Sequence, residues 1–134
     1  MHLPHVRTFM DTDTHALSEG DDIIDAVHRL IDEGVTGAPV VDPRGRLVGL
    51  LSEFDCLRLM THGNGGDAPT GKVRDFMRRD VPTVDPDMDV YYVAGLFLSH
   101  PDTRRFAVIE ADRVVGIITR KDILRAVGPR LQHG

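Results

Sequence analysis

Residues 114–122 read Val-Val-Gly-Ile-Ile-Thr-Arg-Lys-Asp, a short apolar run that ends in Thr-x-x-Asp. Residues 47–55 read Leu-Val-Gly-Leu-Leu-Ser-Glu-Phe-Asp, with the same apolar run, the same glycine and a Ser-x-x-Asp ending. The two stretches lie 67 positions apart, which is half of the 134-residue chain. Self-similarity at a fixed offset indicates a duplicated structural unit. We therefore interpret the chain as two homologous halves.

The same offset aligns residues outside these stretches without a gap. It places the rare pair Phe9-Met10 on Phe76-Met77, and Val41 on Val108. Between the halves, residues 63–71 contain four glycines and a proline, a composition typical of a linker. The predicted organisation is a first repeat over residues 1–62, a linker over 63–71 and a second repeat over 72–134.

Each half carries the same order of local patterns. Asp21-Asp22 precede apolar residues at helical spacing from Ile23 to Ile31, and Gly34 follows them, which predicts an amphipathic helix. Two apolar runs around a turn then predict a hairpin, and Ser52 or Thr119 begins a second helix. If the residues near Leu17 and Val84 supply a short leading strand, the repeat is β-α-β-β-α.

Composition excludes several classes of protein. The chain is 41% apolar and 28% charged, with a net charge of −5 and one cysteine, Cys56. An acidic balance argues against nucleic acid as the main partner. The longest apolar run, Val90–Leu98, is far shorter than a membrane span, and no apolar leader follows Met1. We expect a cytoplasmic protein with neither a membrane partner nor a metal, since the seven histidines and Cys56 show no tight ligand spacing.

The chain resembles a tandem pair of cystathionine-β-synthase-type domains, a Bateman module, over essentially its whole length. The resemblance is carried by residues 36–42, 45–55 and 114–124, above all by the two strand-then-Ser/Thr-x-x-Asp segments. It implies an α/β (α+β) fold of two units packed with pseudo-two-fold symmetry, two clefts between them, and regulation by adenine nucleotides. It also implies a homodimer formed through helices.

Within such a module, Asp55 and Asp122 are the candidate ribose-binding carboxylates, and Ser52 and Thr119 lie at helix starts, where anions are favoured. The alternative is structural. Ser-x-x-Asp and Thr-x-x-Asp also resemble a capping box, in which the hydroxyl and the carboxylate satisfy free backbone amides.

The resemblance places a basic pair, Arg104-Arg105, at the phosphate of the Asp55 site. Glu53 adds a negative charge near this phosphate, and the second half has Arg120 at the equivalent position. Arginine suits this role because its fork binds phosphate oxygens bidentately. The alternative is a solvated pair of charges in a loop. The remaining candidates are Thr12 or Thr14 and Val35 on the adenine side of the Asp55 site, and Thr36, Gly37, Ala38, Thr83 and Lys121 at the Asp122 site.

No nucleophile, base and orienting group are recognisable together, so we do not expect an enzyme. The expected function is that of a regulatory sensor. It binds AMP, ADP, ATP or S-adenosylmethionine, with no obligatory cofactor, and signals to an effector protein. The alternative is a constitutive dimerisation module whose nucleotide clefts are vestigial. The second half aligns Arg104-Arg105-Phe106 with Gly37-Ala38-Pro39, so we expect at most one site to bind well.

Overall fold

The computed structural model describes residues 3–61 and 70–133, and the side chain of Met60 is not among the parts described. Its fold class is mixed α/β, with two separate three-stranded sheets and their helices, as the sequence predicts. Most of the predicted linker, residues 63–69, lies outside the described residues. None of the described helices reaches the length and apolar character that a bilayer crossing requires.

Residues 15–81 form one compact unit, which we call the Asp55 unit. Its elements are β1 (Leu17–Ser18), α2 (Ile23–Glu33), β2 (Gly37–Val41), β3 (Leu47–Ser52) and α3 (Glu53–Leu57), with 3-10 turns at Arg58–Thr61 and Val73–Asp75. The sheet order is β1-β2-β3, in which β1 and β2 are parallel and β2 and β3 antiparallel. The leading strand near Leu17 is therefore present.

Helix α2 begins and ends where the sequence predicts. The side chain of Asp22 accepts hydrogen bonds from the backbone N–H groups of Ile24 and Asp25, which satisfies two donors at the helix start. At the other end, Gly34 adopts the left-handed conformation with φ of 68°, the usual ending of a helix. Ile23 and Leu30 face the core.

Residues 1–14 and 82–134 form the second compact unit, the Asp122 unit. It contains α1 (Val6–Phe9), β4 (Thr83–Val84), α4 (Val90–Ser99), β5 (Arg105–Glu110), β6 (Arg113–Thr119), α5 (Arg120–Val127) and a 3-10 turn at Gly128–Arg130. The sheet order β4-β5-β6 repeats that of the Asp55 unit, with a parallel and then an antiparallel pair. The β-α-β-β-α order predicted from the repeat is confirmed.

The start of the chain belongs to the Asp122 unit, although it lies in the first half of the sequence. Val6 is fully buried in the same apolar core as Val84 and Phe106. Arg7 forms exposed ion pairs with Asp87 and Glu110 of that unit, which raise the pKa of its guanidinium. In the same way, Val73 and Met77 complete the core of the Asp55 unit. Each core therefore contains residues from both sides of the predicted linker.

Strand register corrects the ungapped alignment of the halves. Val40 lies opposite Gly49, and Val108 lies opposite Gly116, so β2 and β5 correspond at an offset of 68 rather than 67. The loop before β5 is longer than the one before β2, and a shorter hairpin turn restores the offset by β6. The predicted match of Val41 to Val108 is therefore wrong. Likewise, Arg105, and not Arg104, takes the place of Gly37.

Two glycines, one in each hairpin, allow a close approach of a neighbouring chain segment. A Cβ at Gly49 would lie 2.6 Å from Met77 Sδ and 2.8 Å from the carbonyl oxygen of Arg78. A Cβ at Gly116 would lie 2.6 Å from Met10 Sδ and 3.1 Å from the carbonyl oxygen of Asp11. The repeated Phe-Met pair of the sequence therefore packs against the repeated glycine in each unit.

We expect Gly49→Ala and Gly116→Ala each to lower the free energy of unfolding by about 1–3 kcal/mol, because an added methyl group overpacks both sites. Urea unfolding measures the loss. The control is Gly95→Ala in α4, where an added Cβ meets nothing within 4 Å. That change raises stability by about 0.5–1 kcal/mol, since glycine is unfavourable inside a helix. Equal stability of the three variants would contradict the close packing.

Candidate functional site

In the Asp55 unit, Ser52 and Asp55 form a complete capping box at the start of α3. Asp55 Oδ2 accepts from the backbone N–H of Ser52 at 3.0 Å and from its hydroxyl at 2.9 Å. The backbone N–H of Asp55 in turn donates to Ser52 Oγ at 3.3 Å. The hydroxyl of Ser52 thus donates its proton to Asp55. To donate to a phosphate instead, the hydroxyl would have to rotate away from this carboxylate.

A cation occupies the other oxygen of Asp55. Arg78 Nε donates to Asp55 Oδ1 at 3.3 Å, and the guanidinium lies 5.7 Å from the centre of the Phe54 ring. Asp55 has no exposed area, whereas the Arg78 side chain is 48% exposed. Sequence reasoning missed Arg78. The signal available was the repeat itself, which aligns Arg78 with Asp11 and so marks a reversal of charge between the halves.

In the Asp122 unit, Thr119 and Asp122 form the same box at the start of α5. Asp122 Oδ2 accepts from the backbone N–H and the hydroxyl of Thr119, both at 2.9 Å. Its Oδ1 accepts from Arg125 Nη2 at 2.8 Å, and the same nitrogen lies 3.3 Å from the carbonyl oxygen of Phe9. The carboxylate of Asp122 is 14% exposed. The alternative of a capping box is thus present in both units.

The basic residues predicted to bind phosphate lie in the Asp122 unit, but in different settings. Arg105 begins β5 opposite Thr119 and is only 7% exposed, while Arg104 and Lys121 are exposed. Arg120 Nη2 donates to the carbonyl oxygens of Pro101 and Thr103, so it fastens the loop that leads into Arg104. Arg120 therefore shapes the position of the basic pair from the first turn of α5.

The remaining candidates divide between the two units. In the Asp55 unit, Gly37 lies opposite Ser52, and the carbonyl oxygen of Thr36 accepts from the backbone N–H of Glu53, which brings residues 36–38 to the start of α3. Val35 precedes them. In the Asp122 unit, Thr83 pairs with Ala107 in the sheet, and Thr12 and Thr14 lie in the N-terminal segment. The grouping of these residues into ligand sites stays a prediction.

Nucleophilic and metal chemistry have little support near the boxes. Cys56 follows Asp55 directly, and burial, followed by the neighbouring Asp55 charge, raises the pKa of its thiol to about 11. A thiol with this pKa stays protonated at neutral pH, so it is a poor nucleophile. Within residues 3–61 and 70–133, His, Cys, Asp and Glu side chains do not assemble in groups of three or more that would hold a metal ion. The boxes themselves offer hydrogen-bond acceptors.

A family model decides the identity of the fold. The model for the CBS domain matches the chain twice, over residues 6–62 and 73–129. The chain belongs to the CBS domain family. The two matches contain the two boxes at equivalent places, so the CBS pair carries one Ser/Thr-x-x-Asp box in each domain.

Curated relatives contain this CBS pair as a part of larger proteins. The A-adding tRNA nucleotidyltransferase of Aquifex aeolicus is 33% identical over 95% of this chain, which spans only 15% of that enzyme. The uncharacterised protein MJ1225 of Methanocaldococcus jannaschii is 29% identical over 92% of this chain, which spans 42% of it. The chain thus spans less than half of these two relatives, and the nucleotidyltransferase activity in the name of the Aquifex protein is that of the whole enzyme.

Solved CBS pairs share the fold over nearly the whole chain. The CBS domain pair of protein MJ0100, solved in complex with 5′-methylthioadenosine and S-adenosyl-L-methionine, is 25% identical with a TM-score of 0.83. It covers 97% of this chain, which covers all of that one. CBSX2 of Arabidopsis thaliana, solved in complex with AMP, is 28% identical with a TM-score of 0.81, over 95% and 98% of the two chains. Homologous CBS pairs therefore bind ligands that contain adenosine.

Proposed function

We propose that this CBS pair is a regulatory module that binds an adenosine-bearing ligand, either AMP, ADP or ATP, or S-adenosylmethionine. The observation that carries the proposal is the Ser/Thr-x-x-Asp box, present twice in a fold whose relatives are solved with such ligands. In each box one carboxylate oxygen is fixed by the helix cap, and the other is held by a single arginine. A vicinal diol can donate to that second oxygen.

The other contacts of the ligand follow from the chemistry of the remaining candidates. We assign the phosphate or the carboxylate of the ligand to Arg104 and Arg105. Lys121, two residues after Thr119, is a further cation for the phosphate. Residues 36–38, together with Val35, Thr14 and Thr83, are proposed to frame the base and the sugar. Backbone groups suit the base, since its ring edge presents both donors and acceptors.

The output of the module is proposed to be a change in an effector protein. A ligand shifts an equilibrium between two arrangements only by its difference in affinity for them, and a tenfold bias needs about 1.4 kcal/mol. We place the module in the cytoplasm, as the sequence predicts, and assign it no catalytic step of its own.

A second candidate function, constitutive dimerisation, is favoured by apolar side chains that the structure leaves exposed. Leu98 on α4 is 84% exposed and Leu124 on α5 is 66% exposed, while Ile31 on α2 is 69% exposed. Single exposed apolar residues are common, but one such residue on each of three helices fits contact with a second copy. Dimerisation is also compatible with sensing, so the two candidates differ only in whether a ligand binds.

Thermal unfolding of the full chain with AMP, ADP, ATP and S-adenosylmethionine separates the candidates. A ligand present at about 100 times its dissociation constant stabilises the native state by about 2.7 kcal/mol, which raises the melting temperature by several degrees. We expect such a shift with at least one of the four compounds, and none with inosine as a control. A dimer that shows no shift at millimolar ligand would contradict sensing and favour dimerisation.

A further inference from the structure

The two boxes differ in the arginine that holds the second carboxylate oxygen. In the Asp55 unit this arginine comes from a separate segment: Arg78 pairs with Leu50 through two backbone hydrogen bonds of 2.8 and 2.9 Å. Such a pair of backbone hydrogen bonds is a β-bridge, and in the Asp122 unit the equivalent bridge joins Asp11 to Ile117. The carboxylate of Asp11 accepts from the backbone N–H of Asp13, in a local turn. The bridge that supplies a cation to Asp55 therefore supplies none to Asp122.

Arg78 is held at Asp55 by several contacts at once. Its backbone is fixed by the bridge to Leu50, its Nε donates to Asp55 Oδ1, and its guanidinium lies over the Phe54 ring. A cation over an aromatic face adds attraction to that of the ion pair. Because the helix cap uses Asp55 Oδ2 and Arg78 uses Oδ1, a ligand hydroxyl that binds this buried carboxylate has to displace Arg78.

Arg125 is a weaker competitor at Asp122. It lies three residues along the same helix, its side chain is 58% exposed, and Asp122 is itself 14% exposed. Its contact with Asp122 Oδ1 is short, at 2.8 Å, but more than half of the Arg125 side chain is exposed, so solvent screens the pair and it contributes little. When the guanidinium of Arg125 gives up its contacts with Asp122 and with the carbonyl oxygen of Phe9, it turns into water and leaves Asp122 Oδ1 to a ligand hydroxyl.

We propose that Asp122 is the carboxylate that binds the ribose diol, and that Arg78 replaces the ligand at Asp55, so that the chain binds one adenosine-bearing molecule. This inference rests on the proposed function and assigns the working carboxylate within it. Arg78 is then a specificity-determining residue, since it selects which of two otherwise equivalent boxes is available.

Isothermal titration calorimetry of the full chain with AMP, and separately with S-adenosylmethionine, tests the assignment. The variants are Asp122→Asn, Asp55→Asn and Arg78→Gln, with Arg79→Gln as a control of equal charge change. Within the described residues, the exposed side chain of Arg79 makes no hydrogen bond or ion pair. The asparagine variants keep the shape of the carboxylate, and circular dichroism verifies that each variant is folded.

We expect one ligand per chain in the unaltered protein and in Arg79→Gln. Asp122→Asn should weaken binding at least tenfold, and Asp55→Asn should change it by less than about twofold, since only the first removes a charged acceptor of the ligand. Arg78→Gln should raise the stoichiometry to two, because it releases Asp55 Oδ1.

Other results overturn the assignment. The assignment is refuted, while the proposed function stands, by any of three results. The unaltered chain binds two ligands, or Asp55→Asn weakens binding tenfold and Asp122→Asn does not, or Arg78→Gln binds only one ligand. If neither compound binds to any variant, the proposed function itself fails. Binding only to Arg78→Gln would refute the role of Asp122 but not the adenosyl ligand.

Discussion

Phe106→Ala should lower the free energy of unfolding by about 3–5 kcal/mol, the largest loss that we expect from a single substitution in this chain. Phe106 lies on β5 with no exposed area and is the largest of the fully buried side chains. Its ring centre is 4.4 Å from that of Phe97 on α4 and 6.2 Å from that of His100, whose plane is nearly perpendicular to the Phe106 ring. The substitution removes this aromatic contact and leaves a cavity between sheet and helix.

Urea unfolding of the full chain, followed by fluorescence of Tyr91 and Tyr92 and by circular dichroism, measures this loss. The control is Leu98→Ala on α4, where the side chain is 84% exposed and the expected change in stability is within about 0.5 kcal/mol. If the two variants lost equal stability, Phe106 would not be the centre of the core of the Asp122 unit.

The order of elements could be read from the sequence because each pattern is local. The spacing of Ile23 and Leu30, the Asp22 cap and the Gly34 ending are properties of one segment, and the structure confirms them. Because the halves are duplicated, each helix or strand predicted in one half was also predicted at the equivalent position of the other. The duplication also paired Phe9-Met10 with Phe76-Met77, and both methionines do pack against the repeated glycine.

The register of β5 could not be read in this way. The extra residue before the strand is compensated in the hairpin turn, so identities at an offset of 67 reappear from Arg113 onward and conceal the shift. Apolar residues fill the whole of the strand interior, and a run without alternation carries no information about register. As a result, the basic residue opposite Thr119 is Arg105, and Arg104 takes the place of Thr36.

The capping interactions of the candidate site were predictable, and its ion pairs were not. A hydroxyl and a carboxylate three residues apart are close enough in a helix start to bond each other, whatever the rest of the fold does. Arg78 reaches Asp55 from 23 residues away, through a bridge to Leu50 that only the folded sheet creates. Such a contact depends on tertiary structure, which local spacing does not encode.

Asp55→Ala should cost about 3 kcal/mol of stability, against about 1 kcal/mol for Asp122→Ala. Both changes remove the carboxylate half of a capping box and leave the backbone N–H of the N-cap residue, Ser52 or Thr119, without its partner, which accounts for about 1 kcal/mol in each unit. Only at Asp55 is the carboxylate fully buried, so its loss also leaves an unfilled space in the interior and separates Arg78 from its counter-charge. Arg78 is 48% exposed and regains water, which keeps the cost below that of an isolated buried charge.

The two variants form a matched pair, because the same residue type is removed from the same motif in the two units. Urea unfolding should therefore report a difference of about 2 kcal/mol between them. The double variant Asp55→Ala with Arg78→Gln isolates the ion pair: its loss should be smaller than the sum of the two single losses, since either change alone breaks the contact. Strict additivity, or equal losses for Asp55→Ala and Asp122→Ala, would mean that Arg78 does not stabilise Asp55. A structural role for the ion pair between Asp55 and Arg78 would then have no energetic basis.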